Sequence, residues 1–276
     1  MIQDVSSQST QVSEPFIDLK KVSLIYGEKE QTLAIDRLSL SIDRGSFVAV
    51  VGPSGCGKST LLKLISGLIP PSQGDVLIEG AKVTGPVQKV GMAFQNPLLM
   101  PWRTTLRNVV LPMEIVERNP IRFKKHQADH VAKARQLLAS VGLKDFEKKF
   151  PWQLSGGMQQ RASLCRSIIH NPEILMLDEP FGALDSFTRE ELWQSMQDLW
   201  LKEKFTALLI THDLREAVFL ADVIYVMSGR PGKIVSRREV KFPRRRSIEL
   251  MSDAAFIEIV QELRQFIAEA RSQQAG

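Results

Sequence analysis

Gly52-Pro53-Ser54-Gly55-Cys56-Gly57-Lys58-Ser59-Thr60 satisfies the pattern G-x-x-x-x-G-K-[ST] at every constrained position. The apolar, β-branched run Phe47-Val48-Ala49-Val50-Val51 precedes it, and Leu61-Leu62-Lys63-Leu64-Ile65 follows with the look of a helix start. That strand–loop–helix context is what the motif needs. Glycines let successive N–H groups turn inward toward a phosphate, and the helix behind them aims its positive end at the same anion. Lys58 is placed to reach the β- and γ-phosphates and the Ser59 hydroxyl to hold Mg²⁺. The stretch reads as a nucleoside triphosphate site.

The rest of the chain bounds what such a site can serve. Its 276 residues suffice for one large or two modest domains, and 43% apolar with 24% charged residues is ordinary globular composition. Two cysteines, one of them inside the loop, give no disulfide framework and fit a reducing compartment. The first residues lack a basic start and an apolar segment, and no apolar run reaches the ~18 residues of a membrane span. A net charge of +5 leaves nucleic acid or an anionic membrane face possible as partners, with Pro243-Arg244-Arg245-Arg246 the one dense basic cluster.

Periodicity gives the frame. Residues 1–15, polar and closed by Pro15, are expected to be a flexible leader. Strands are expected at 16–26 and 38–42, with a turn through residues 27–31 between them. Further strands are expected at 47–51, 75–78 and 89–94. From residue 96 to about 170 prolines punctuate a helical pattern. Ala128, Val131, Ala134, Leu138 and Val141 make one apolar face there, closed by Gly142. The strand–helix rhythm then resumes: strand 174–177, helix 189–201, strand 207–211, helix 214–220, strand 223–227 and strand 233–240. Such alternation means a mainly parallel sheet. Phe256, Ile259, Val260, Leu263 and Phe266 mark a final amphipathic helix, expected to dock on its own domain.

Chemistry collects where strands end. Ile174-Leu175-Met176-Leu177-Asp178-Glu179 delivers two carboxylates at the carboxyl edge of a parallel sheet. Neighbours on an extended chain point to opposite sides, so Asp178 suits Mg²⁺ ligation and Glu179 suits polarising a water. Gln95 and His212 also end strands, within expected reach of Mg²⁺ or the attacking water and of the γ-phosphate. Tyr26 ends a strand shortly before the loop, where its ring could stack on a base. Leu154-Ser155-Gly156-Gly157-Met158-Gln159-Gln160-Arg161 opens a helix with a serine cap and bare N–H groups. It is a second anion site in a different part of the chain, one that a nucleotide held by another subunit would explain.

These motifs together resemble the ATP-binding cassette ATPases, the motor subunits of ABC transporters, over roughly residues 16–240. GPSGCGKST looks like their Walker A, Gln95 their Q-loop, LSGGMQQR their signature and LMLDE their Walker B. Ala183-Leu184-Asp185 looks like their D-loop, Thr211-His212-Asp213 their H-switch and Tyr26 their adenine-stacking aromatic. The resemblance implies an α/β P-loop NTPase core with a mainly parallel sheet, an antiparallel β subdomain and an inserted helical subdomain (about 96–170). The ATPase domain would span 16–242, with a basic and amphipathic tail at 243–276.

It also implies an ATPase using ATP and Mg²⁺, with Glu179, His212 and Gln95 catalytic and Ser59, Gln95 and Asp178 near the metal. Gly52, Pro53, Ser54, Gly55, Cys56, Gly57, Lys58, Ser59, Thr60 and Tyr26 would hold the nucleotide, and Ser155, Gly156, Gly157 and Asp185 would act on one held by a second cassette, identical or related. The implied partners are two transmembrane permease subunits and a solute-binding protein acting through them, with no nucleic acid. The implied location is the cytoplasmic face of the inner membrane.

A narrower likeness joins Leu98-Leu99-Met100-Pro101-Trp102-Arg103 and the stretches 216–222 and 226–234 to the nitrate/sulfonate/taurine importers. Met100, Met158 and Val223 depart from common patterns without touching the catalytic positions. Two other classes remain open: a soluble cassette ATPase acting on nucleic acid or ribosomes, which usually carries two cassettes or a long coiled coil, and a P-loop kinase, which leaves the signature unexplained.

Overall fold

The computed structural model describes residues 14–27, 30–117 and 119–272. Nearly all of the expected leader, and Glu28 and Lys29 of the expected turn, lie outside them. In chain order the elements are β1 Ile17–Tyr26, β2 Thr32–Ile42, β3 Phe47–Val51, α1 Lys58–Ile65, β4 Gln73–Ile78, β5 Ala81–Lys82 and β6 Val90–Phe94. Three helices follow: α2 Thr105–Val116, α3 Pro120–Ser140 and α4 Gly156–Ile168. The chain closes with β7 Ile174–Asp178, α5 Ser186–Glu203, β8 Thr206–Thr211, α6 Leu214–Leu220, β9 Val223–Met227, β10 Ile234–Glu239 and α7 Ala254–Ser272.

Two sheets result. A four-stranded antiparallel sheet runs β2-β1-β4-β5, and a six-stranded sheet runs β10-β9-β3-β8-β7-β6. The latter is parallel except at its β10 edge. The central strands are apolar on both sides because both are covered. Phe47, Ala49 and Val51 of β3 enter the core shared with α4, α5, α6 and α7, whereas Val48 and Val50 face the antiparallel sheet and α1. Strands β7 and β8 divide their side chains in the same way.

Register is what builds the site. Val51 pairs with Thr211, Ile210 with Asp178, and Asp178 with Phe94. Four parallel strands therefore end in line, and Gly52, His212, Glu179 and Gln95 emerge side by side from their carboxyl ends. On the far side Arg44 lies over the Phe16 ring at 3.8 Å and pairs with Glu79 and Glu173. Lys89 contacts the same two carboxylates, so four charges tie the antiparallel sheet to the parallel one.

Several expectations give way. Strand β2 begins six residues before 38, hidden from a period-two reading because Arg37 adopts φ 46° and the pairing slips there. Helix α3 starts at Pro120, which fits the first turn where its missing N–H costs nothing. Its buried face is His130, Ala134, Leu137 and Leu138, while Ala128 is exposed. Helix α2 accommodates Pro112 in its interior. The two acids after β7 are not an extended pair: Glu179 has φ 49°, so a left-handed turn, rather than strand alternation, separates the carboxylates.

The basic cluster is only in part a surface patch, since Arg245 stays exposed beside Asp198 while its two neighbours turn inward. Arg246 is 2% exposed, and its Nη1 donates to the carbonyls of Val218, Phe219 and Ala221 at the negative end of α6. Burial pushes its guanidinium down to about 9. Arg244 sits over the Trp200 ring at 4.5 Å and donates to Leu220 O. The arginines lock the tail to the core. Phe256, Ile259 and Leu263 then dock α7 into that core, each burial contributing about 1.5–3 kcal/mol.

Candidate functional site

A cavity of ≈ 440 Å³ opens at the end of β3. Tyr26, Thr32 and Ala34 form one wall, residues from Ser54 to Thr60 the floor, and Glu179 and Arg230 the opposite side. The loop wraps the start of α1 because Gly55 (φ 76°) and Gly57 (φ 105°) adopt backbone angles that only glycine takes cheaply. Gly57 is the N-cap of α1, has no side-chain cap, and no acidic residue lies in the first turn. The helix start is left for an external anion. A Cβ on Gly57 would approach Ala34 O to 3.3 Å, so β2 packs directly on the loop.

Lys58 is 5% exposed, and its Nζ donates to Gly52 O (3.0 Å) and Pro53 O (2.9 Å), with Cys56 Sγ 4.0 Å away. Cys56 is buried, which pushes its thiol up and makes it a packing group. Ser59 Oγ donates to Asp178 Oδ1 at 3.1 Å. Burial first, then the charge of Glu179, raises the Asp178 carboxyl, while the Ser59 hydrogen bond lowers it. A hydroxyl and a half-buried carboxylate side by side, all oxygen, suit a hard cation such as Mg²⁺. The bare helix start and the buried ammonium suit phosphate.

Glu179 Oε2 lies 3.0 Å from His212 Nδ1. Gln95 joins them: a Cβ on Gly182 would sit 3.4 Å from its Nε2 and 3.6 Å from His212 Cε1. Tyr26 is 41% exposed at the cavity wall, its hydroxyl 3.4 Å from Thr60 Oγ1. Behind His212, Asp213 caps α6 and pairs with Arg189 at 3.0 Å. Fully buried Glu216 accepts from Thr211 Oγ1 at 3.0 Å, and burial holds its carboxyl well above the usual range.

Ser155, Gly156, Gly157 and Asp185 form a separate group, none lining the cavity. Ser155 caps α4 by accepting Met158 N, and Asp185 caps α5 by accepting Thr188 N. The two helix starts touch: a Cβ on Gly157 would fall 2.5 Å from Thr188 Cγ2. Ser155, Gly156 and Asp185 are exposed, as is Phe187 at 80%.

Sequence reading missed several supporting residues. Arg230, in a stretch noted only for its likeness to importers, donates to Gly55 O at 2.7 Å and lines the cavity. Thr32 and Ala34 were hidden by the β2 irregularity. Buried Gln160 donates to Phe94 O and Arg166 to the carbonyls of Pro97 and Leu98, so α4 grips the segment after Gln95. Buried Asn108 accepts from Met100 N and donates to the carbonyls of Met100, Arg103 and Thr104, fixing the turn that leaves Trp102 71% exposed. No spacing signal marks either contact.

Comparison with known proteins places this arrangement among others of its kind. The family profile described as ABC transporter matches residues 35–182. The taurine import ATP-binding protein TauB of Escherichia coli is 38% identical over 242 residues, covering 86% of this chain and 92% of its own. The aliphatic sulfonates import ATP-binding protein SsuB of Bacillus cereus is 38% identical over 232 residues, covering 84% and 88%. A dimeric post-hydrolysis structure of the ATP-binding cassette MJ0796, bound to ADP and Pi, superposes with a TM-score of 0.70 at 32% identity, covering 82% of this chain and 100% of that one.

Proposed function

The chain belongs to the ABC transporter family and is an ATPase, and from that premise we propose that it energises a bacterial importer of a small anionic or organic solute such as nitrate, a sulfonate or taurine. The likeness to TauB and SsuB over most of the chain carries the importer reading. The ATPase domain is then residues 16–242, the helical subdomain about 96–170, and the remainder a docked tail.

The proposed chemistry assigns roles along the sheet edge. The N–H groups of residues 52–60 and the Lys58 ammonium cradle the β- and γ-phosphates, and Tyr26 stacks on the adenine. Ser59, Asp178 and Gln95 hold Mg²⁺, which when bound neutralises phosphate charge. Glu179 takes a proton from the attacking water, and His212, 3.0 Å away, keeps that carboxylate oriented and touches the γ-phosphate.

Two copies meet head-to-tail, so that Ser155, Gly156, Gly157 and Asp185 of one close over the nucleotide of the other. The separation of those residues from the cavity supports this. Exposed Trp102 and the residues around Gln95 and Leu99 offer the groove for the permease. No helix among the described residues is long and apolar enough to cross a membrane, which accords with a peripheral subunit at the cytoplasmic face. The internal use of Arg244 and Arg246 leaves the nucleic-acid alternative without its best patch.

The test is reconstitution with the two permease subunits and the solute-binding protein in vesicles. Solute-loaded binding protein should stimulate ATP hydrolysis several-fold, and Trp102→Ala should weaken assembly with the permease while sparing nucleotide binding. Hydrolysis stimulated by RNA or ribosomes instead would overturn the importer reading.

A further inference from the structure

A second cluster of metal-ligating side chains sits away from the sheet edge, where α2 turns into α3. Glu117 follows the last residue of α2, and His126 and His130 lie four residues apart on α3, hence on one helix face. One ligand atom from each of the three falls within 4.8 Å of the others. Glu117 Oε1 is 3.1 Å from His130 Nε2 and 3.5 Å from His126 Nδ1. Around a tetrahedral zinc with bonds near 2.0–2.2 Å, ligand atoms stand about 3.3–3.6 Å apart, so the His126 spacing of 3.5 Å matches and the His130 spacing of 3.1 Å needs a small outward shift.

A simple ion pair does not account for the arrangement. His130 is 9% exposed, and neither its Nε2 nor Glu117 Oε2 has a hydrogen-bond partner among the described residues. Buried polar atoms are normally satisfied, and here the imidazole nitrogen stands 3.1 Å from Oε1 without hydrogen-bond alignment while Oε2 has no partner among the described residues, which leaves both free for an ion. Phe123 stacks on the His130 ring at 5.6 Å and fixes its plane. Half-exposed His126 leaves an entry path and room for water as a fourth ligand.

We propose that Glu117, His126 and His130 bind a divalent transition metal, with Zn²⁺ the best match. Two imidazoles and one carboxylate suit zinc, whereas Mg²⁺ and Ca²⁺ favour all-oxygen sets. The ion clamps the end of α2 to α3, beside exposed Ile115, Val116 and Ile121.

The test uses the full chain without an affinity tag, stripped by chelator. Zn²⁺ is titrated by calorimetry and Co²⁺ by visible absorption, both with Mg-ATP present so that the nucleotide site is filled. One equivalent should bind, and Zn²⁺ should raise the melting temperature. His126→Ala and Glu117→Gln should each weaken binding at least tenfold and cancel the thermal shift, with circular dichroism and ATP affinity unchanged. Failure of the wild-type chain to bind one equivalent, or equal binding by both variants, overturns the proposal.

Discussion

Helices α1 and α4 both begin with glycine-flanked, positively polarised ends, yet their surroundings differ. The start of α1 has no side-chain cap, and it is enclosed by β2, Tyr26, Glu179 and Arg230 around a ≈ 440 Å³ cavity. The start of α4 is capped by Ser155, leaves Ser155 and Gly156 exposed, and has the start of α5 beside it. A helix N-terminus attracts anions by its dipole, but walls decide whether an anion stays. The first site has its walls within the chain. Under the proposed arrangement the second waits for those of another copy. Helix α6 is the control: Asp213 accepts from Arg215 N and Glu216 N, so its start is satisfied internally.

The largest expected effect tests the walled site. Glu179→Gln should lower steady-state phosphate release by about 10²–10⁴-fold while ATP still binds. Sedimentation of that variant with Mg-ATP should reveal accumulated dimer. Hydrolysis at the wild-type rate would remove Glu179 from its assigned role.

A paired experiment separates the two helix starts. Gly156 has room for a side chain, since a Cβ would meet only Leu184 Cδ2 at 3.8 Å. Gly156→Asp should therefore fold, bind ATP within about twofold of wild type, and lose hydrolysis about 10²-fold by setting a carboxylate against the partner's phosphate. Lys58→Ala should instead weaken ATP binding itself by about 10–100-fold, the loss of a charged hydrogen bond. If Gly156→Asp impaired binding to the same degree, the two-copy reading would fail.

The smallest effect concerns α6. Burial raises the folded-state pKa of Glu216 above its ordinary value, so the folded chain keeps that proton longer than the unfolded one. Its contribution to stability is complete below the ordinary carboxylate range and is lost as pH rises toward the raised value. Glu216→Gln keeps an acceptor for Thr211 Oγ1 and cannot ionise. Its melting temperature should gain on wild type as pH rises above the ordinary carboxylate range, and a constant gap would refute that account.

Much of the fold was legible because its signals are local. The Gly57-Lys58-Ser59 stretch, the apolar runs of β3, β7 and β8, and Gly142 closing α3 each follow from a few neighbouring residues. The candidate site was legible for the same reason: its residues sit at strand ends, and a parallel sheet gathers strand ends on one edge. Sequence pattern failed where backbone geometry departs from regular periods, as at Arg37 in β2 and Glu179 after β7. It failed again where one long side chain reaches across elements. Arg230 on Gly55, Asn108 under Trp102 and Arg246 on the carbonyls of α6 make contacts that no spacing encodes.

By itself, then, the sequence pointed to a triphosphate site, set carboxylates, a glutamine and a histidine at strand ends, and resembled a transporter ATPase. Only the tertiary structure decided that Arg244 and Arg246 turn inward while Arg245 stays exposed, that the α4 start lies apart from the cavity, and that Glu117 comes to face His126 and His130. Motif chemistry is written in neighbouring residues, whereas burial and convergence depend on packing between distant ones.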